Sequence, residues 1–367
     1  MRKILHKQIL HKQQALLIFL LLCCISLYFS GCAFITVPAF GPSISELEET
    51  TVSGEGKDKI LLMDISGEIS EEDKSNPLGM TTEVNPVVRI KEELEKAKKD
   101  KKIKALLLKI DSPGGTVTAS DIIYHELKTF KKETGIPLVI SMMDVAASGG
   151  YYIAMAGDKI LAHPTTVTGS IGVLTMKFDV QGLMGKIGVE EVTIKSGDKK
   201  DFNSIFHTLR PEDQAILQNV IDTLYERFVG IVAESRHGLS GMSKEELKRI
   251  ADGRVYTAQE ALDLKLIDTI GYMEDAIKLA KKEAGITHEA KVITYQRPSQ
   301  HKSTIYSRSS SASRPLSLSL AAMPLATSSL AGASLLAGLK NLPISDLSGS
   351  GLSVKNLSGR FWYLWTP

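Results

Sequence analysis

The sequence predicts an α/β fold with a largely parallel sheet flanked by helices. Three observations carry that expectation. Apolar, strand-like runs recur at 59–65 (KILLMDI), 103–110 (IKALLLKI) and 136–140 (IPLVI). Amphipathic helical patterns separate them, and the second and third runs lead into small-residue turns, DSPGG at 111–115 and ASGG at 147–150. Short aliphatic runs suit strands buried on both faces, and their alternation with helices is the signature of parallel crossovers.

The elements follow in order. A helix over 83–100 is predicted from Val87, Val88, Ile90, Leu94 and Ala97 at helical spacing, with Lys and Glu between them. A second helix starts at Val117 and sets Ile122, Ile123 and Leu127 on one face. After the third strand, the small residues of 146–150 turn into an apolar helical pattern over 151–156. Strands are expected at 159–162 and 170–176, then a polar loop at 195–211 and a long amphipathic helix over 212–234. Helices over 243–250, 258–264 and 274–283 precede a last strand at 291–295. Residues 252–256 read as a turn entering the next element, with a packing role only.

The two ends differ from the body. Arg2, Lys3, Lys7 and Lys12, with no acidic residue among them, precede an apolar run at 15–29 broken only by Ser26. A basic segment before an apolar one is an export signal. The run is shorter than the roughly 20 residues of a comfortable spanning helix. It ends in Phe29-Ser30-Gly31-Cys32, which resembles a lipoprotein box with Cys32 as the lipidated residue. The alternative is an uncleaved signal anchor lengthened by AFITVPAF. Either version leaves the body outside the cytoplasm, on a bacterial membrane.

The predicted division is an export signal at 1–32, a linker at 33–57, a body at 58–298 and a low-complexity tail at 299–367. The tail is expected to be mostly disordered. Its uncharged run at 315–339 has the composition of a signal-peptide core. Its aromatic end, 361–365, is read as a membrane anchor.

Composition excludes several functions. A net charge of +2 with no basic block in the body argues against nucleic-acid binding. All three cysteines, Cys23, Cys24 and Cys32, lie near the N-terminus, which leaves the body without a disulfide, a thiol nucleophile or a cysteine metal site. Eight scattered histidines show no metal-binding spacing. No cofactor and no metal is expected.

Chemistry centres on Ser148. A strand that turns through small residues into a helix exposes one hydroxyl beside free backbone N–H groups. DSPGG, at the end of the preceding strand, leaves a backbone free of side chains that suits a developing oxyanion. A serine nucleophile needs a base, and no histidine stands in a recognisable position. The loop at 195–201 offers Lys195, Lys199 and Lys200. A lysine acts as base only when unprotonated, which requires a desolvated setting.

DSPGG, AASGGYY, HPTTVTGSIGV, IKSGDKKD and ADGRVYTAQEALDLKLID, in that order, resemble the signal peptide peptidase A family in its short, single-domain form. The resemblance spans 58–284. It implies a membrane-bound Ser–Lys protease with a ClpP/crotonase-like fold. Ser148 then matches the nucleophile, and Lys200, the lysine before Asp in KSGxxKD, matches the general base, with Lys199 as its neighbour and rival. Ser170 matches the residue that orients the lysine, and Gly115 and Gly149 supply the oxyanion N–H groups. The implied partners are apolar peptides, including signal peptide remnants, and membrane lipid. The implied assembly is a homo-oligomeric ring in which serine and lysine meet across neighbouring protomers. A crotonase-type enzyme acting on acyl-thioesters and a non-catalytic membrane scaffold are the alternatives. The export signal counts against the first, and the joint presence of Ser148, Lys200 and Ser170 against the second.

Overall fold

Parallel strand pairing sets the frame. The computed structural model describes residues 46–75, 82–239, 241–297, 305 and 361–365. In chain order these form β1 (Glu48–Ser53), β2 (Lys59–Ser66), a short antiparallel pair β3 (Lys74–Ser75) and β4 (Thr82–Glu83), and α1 (Pro86–Lys99). Next come β5 (Ile103–Ser112), β6 (Gly114–Thr116), α2 (Val117–Thr134), β7 (Leu138–Ala147), α3 (Gly149–Ala154), β8 (Lys159–Ala162), β9 (Val167–Gly169) and α4 (Gln181–Lys186). The second half holds α5 (Pro211–Ser235), α6 (Lys244–Ile250), β10 (Val255–Thr257), α7 (Ala258–Asp263), β11 (Thr269–Ile270), α8 (Met273–Glu283), β12 (Lys291–Gln296) and β13 (Trp362–Leu364).

The main sheet runs β1-β12-β2-β5-β7-β8-β11, with β9 paired to β7 and β10 paired to β9. Every pairing from β12 to β11 is parallel, and only β1–β12 and β9–β10 are antiparallel. The alternation of side chains along a strand divides the core into two layers. Leu61, Met63, Leu106, Leu108 and Ile140 join the cluster that contains α1, α2 and α3. Ile60, Leu62, Leu107 and Val139 face Met273, Ala276 and Ala280 of α8. Each large aliphatic side chain buried this way contributes about 1.5–3 kcal/mol relative to exposure.

Local signals start and stop the helices as the residue types require. Asn85 caps α1, its side chain accepting from the Val88 N–H at 3.1 Å, with Pro86 as the first helical residue. Thr116 caps α2, and Gly135 closes it in the left-handed region at φ 69°.

Four expectations change. The third strand does not stop at Ile140: β7 continues through Ala147, because its second half pairs with β9 and its Ala146 opposes Ser112. No strand spans 170–176. Gly169 and Ser170, at φ 87° and 50°, turn the chain, and β9 ends there. β1 lies in the stretch read as a linker, drawn into order by antiparallel pairing along β12. The end of the tail is not a free aromatic anchor: Trp362, Tyr363 and Leu364 are buried as β13.

The export signal, Cys32 and the run at 315–339 lie outside the described residues. Among the described residues, no helix is long and apolar enough to cross a membrane.

Candidate active site

Two turns at the carboxyl ends of neighbouring parallel strands make the site. β5 ends at Ser112, whose hydroxyl donates to the Gly67 carbonyl at 2.6 Å and accepts from the Gly114 N–H at 3.1 Å. That fixes a turn with Gly114 at φ 106°. A Cβ on Gly115 would fall 1.8 Å from the Ile69 carbonyl oxygen, so only glycine fits this approach.

β7 ends one residue before Ser148, which holds φ 51° and ψ −113° at the start of α3. A non-glycine residue in this region is strained, and such strain clusters at functional sites. Backbone pairing enforces it: the Ser148 N–H donates to the Gly169 carbonyl at 2.8 Å. The next residue over, Ser170, is itself at φ 50°, and its N–H donates to the Arg254 carbonyl at 2.7 Å. Ser148 and Ser170 are both buried.

The groove between the turns contains a strand of the same chain. β13 runs antiparallel to β6, with Trp362 opposite Thr116, Tyr363 opposite Gly115 and Leu364 opposite Gly114. The Val117 N–H donates to the Phe361 carbonyl at 3.3 Å, and the Trp365 N–H to the Pro113 carbonyl at 2.8 Å. Hydrogen-bonded pairs fall at every second residue of an antiparallel ladder, so Tyr363 and Gly115 form the pair between these two, and the Gly115 N–H faces the Tyr363 carbonyl. On the other edge, Leu174 and Trp362 exchange N–H···O bonds of 3.1 and 3.0 Å. A Cβ placed on Gly149 would lie 3.0 Å from the Tyr363 carbonyl oxygen and 3.1 Å from the Gly115 nitrogen. One carbonyl of the tail therefore sits beside both glycine turns, next to Ser148.

An aromatic pocket receives Tyr363. Its ring stacks on Tyr152 with centroids 4.9 Å apart and meets Phe228 at 4.8 Å. Its hydroxyl donates to the Leu224 carbonyl at 3.0 Å. Tyr152 is held in turn by a 2.5 Å bond to Asp121, which Arg227 also contacts at 2.6 Å. Burial pushes both tyrosine hydroxyls well above their ordinary range, Tyr152 with the Asp121 carboxylate adding to the effect. Both stay protonated donors.

The lysines belong to an exposed segment. The segment from Phe178 to Phe206 is exposed for most of its length and presents large apolar side chains to solvent, Val192 at 85% and Ile194 at 98%. Within it, Lys199 is tied to Asp213 at 2.6 Å, with Glu212 and Asp198 within 4 Å. Lys195 is tied to Asp201 at 2.7 Å. Lys200 is exposed. The fold thus brings Ser148, Gly149, Gly115 and the Ser170 turn together, while Lys200 is exposed on the 178–206 segment.

Sequence reasoning missed β13 and the Tyr124, Tyr152 and Phe228 aromatics around it. The run FWYLW, all of high strand propensity, was a legible signal for the former.

A profile of peptidase family S49 matches residues 130–287, and one of Clp protease matches residues 78–168. A protein of Enterococcus faecium that carries the name signal peptide peptidase SppA is 38% identical over 249 residues, covering 68% of this chain and 70% of its own length. The chloroplastic serine protease SPPA of Arabidopsis thaliana is 35% identical over 247 residues, which is 66% of this chain and 35% of that one. Among solved structures, a mutant 1510-N membrane-bound stomatin-specific protease in complex with a substrate peptide shares 17% identity and a TM-score of 0.40, covering 65% of this chain and 93% of that one.

Proposed function

The chain belongs to peptidase family S49 as a serine-type peptidase with a ClpP-like α/β fold, and on that premise we propose that it cuts apolar peptides with a Ser148–Lys200 dyad at the extracytoplasmic face of a membrane. The observation that carries the proposal is the Tyr363 carbonyl lying beside the Gly115 and Gly149 turns at Ser148. A peptide is cut as an extended strand, and β13 occupies the groove in that form, paired along both edges.

The chemistry follows from these groups. Neutral Lys200 takes the proton of the Ser148 hydroxyl as its oxygen attacks the peptide carbonyl carbon. The N–H groups of Gly115 and Gly149 hold the oxyanion. The C–N bond then breaks, Lys200 returns the proton to the leaving amine, and water releases the acyl group by the same route. Ser170, at the turn that anchors Ser148, orients the lysine.

Lys200 rather than Lys199 fits the base, since carboxylates on three residues already engage Lys199. Its exposure, where Ser148 is buried, fits a ring in which a neighbour's lysine completes each site. The apolar residues exposed around it supply the surface for such contact. Cys32 would anchor the assembly through lipid. Signal peptide remnants are the substrates, in keeping with the aromatic lining of the groove.

Intact-mass comparison of wild type with Ser148→Ala tests the reading. The bond at the reacting position is Tyr363–Leu364, so wild type should lose residues 364–367 and Ser148→Ala should keep them. An uncut wild type that also fails to hydrolyse apolar peptides refutes it.

A further inference from the structure

Beside the docked strand lies space that its side chains leave unfilled. A cavity of about 560 Å³ opens next to Phe361, lined by Glu71, Glu72, Val117, Val220 and Leu224. Successive side chains on a strand alternate faces, so Phe361 and Tyr363 point the same way. Their surroundings agree, because Leu224 accepts from the Tyr363 hydroxyl and also lines this cavity. The cavity is therefore the subsite for the residue two places before the reacting carbonyl, with a peptide strand already running along its edge.

Its two parts differ in chemistry. Val117, Val220 and Leu224 form an apolar wall, while Glu71 and Glu72 form an acidic rim. Glu71 is fixed to the end of β6, its carboxylate accepting from the Thr116 hydroxyl at 2.9 Å. A benzyl side chain suits the apolar wall and offers no charge to the rim. A long cationic side chain satisfies both, laying its methylenes along the wall and its head against the carboxylates.

We propose that this cavity selects Arg or Lys at the third residue on the acyl side of the cut bond, and that peptides so built are preferred over the enzyme's own tail sequence. The proposal deepens the peptidase reading and rests on β13 standing in for a substrate.

The test uses the full chain with Tyr363→Asp, whose carboxylate is disfavoured in the aromatic pocket and so frees the groove. Fluorescently labelled peptides Xaa-Trp-Tyr-Leu-Trp, with Arg, Phe or Glu first, are bound to this protein carrying Ser148→Ala, and hydrolysed by it with Ser148 intact. An exposed ion pair changes affinity by up to about fivefold, so Arg should bind roughly fivefold tighter than Phe, and Glu correspondingly weaker. The order should flatten in Glu71→Gln/Glu72→Gln, where glutamine still accepts from Thr116, and shrink with added salt. Equal affinity for all three peptides, or an order unchanged by the double substitution, overturns the subsite. Charge-ordered binding without hydrolysis of any peptide upholds the subsite and overturns the peptidase reading instead.

Discussion

At the scale of single residues, the two adjacent lysines separate by their partners. Lys199 is held against Asp213, Glu212 and Asp198, whereas Lys200 is exposed beside it. Lys199→Ala should keep most peptide hydrolysis, and Lys200→Ala should lower kcat by about 10²- to 10⁴-fold, the range for removing a general base. The reverse order of effects would move the base to Lys199. Asp213 carries a pH dependence of its own. Arg210 first, and Lys199 with it, hold its carboxyl down to about 2. A carboxyl depressed in the folded state stabilises it above the ordinary carboxylate range, and that contribution is lost as pH falls through the depressed value. The protection factor of amides in the first turn of α5, corrected for the intrinsic pH dependence of exchange, should therefore fall as pH drops from about 3.8 toward 2, while that of β5 is kept.

At the scale of elements, the strongest dependence runs from α5 to β13. Phe228 of α5 is fully buried and touches the rings of both Tyr152 and Tyr363. Phe228→Ala should cost about 3–5 kcal/mol in thermal or denaturant unfolding and loosen β13 as well. An unchanged midpoint would mean that α5 does not share the cooperative core. Legibility also sorts by element. β2, β5 and α2 were readable because apolar period and local caps such as Thr116 agree with the final packing. The full length of β7 was not, since Ser141 and Asp144 break its apolar pattern and only pairing with β9 keeps it extended. Of the candidate site, the two small-residue turns were legible as local sequence patterns, whereas singling out Ser148 and one lysine of 195–201 rested on motif order, and Tyr363 was hidden because the partner of β13 lies more than two hundred residues away in sequence.

At the scale of the whole molecule, Lys200 is exposed while Ser148 is buried, so the proposed dyad is expected to form between neighbouring chains and activity to belong to the assembly. Mixing Ser148→Ala with Lys200→Ala protein should restore hydrolysis, to roughly a quarter of wild-type sites in a randomly mixed ring with head-to-tail contacts. No recovery after mixing, with both variants assembled, would require serine and lysine to meet within a single chain.

The burial of Trp362 in the groove has an optical consequence. The chain holds two tryptophans, Trp362 and Trp365, and both belong to the segment lying across the site. Trp362 is fully buried, with its indole N–H unpartnered among the described residues, while Trp365 stays partly exposed. Its emission therefore arises from a dry, apolar setting, and no tryptophan elsewhere in the molecule adds background. A shift of that light to longer wavelength is a direct count of vacated grooves, so the protein carries its own gauge of when its site is open for work.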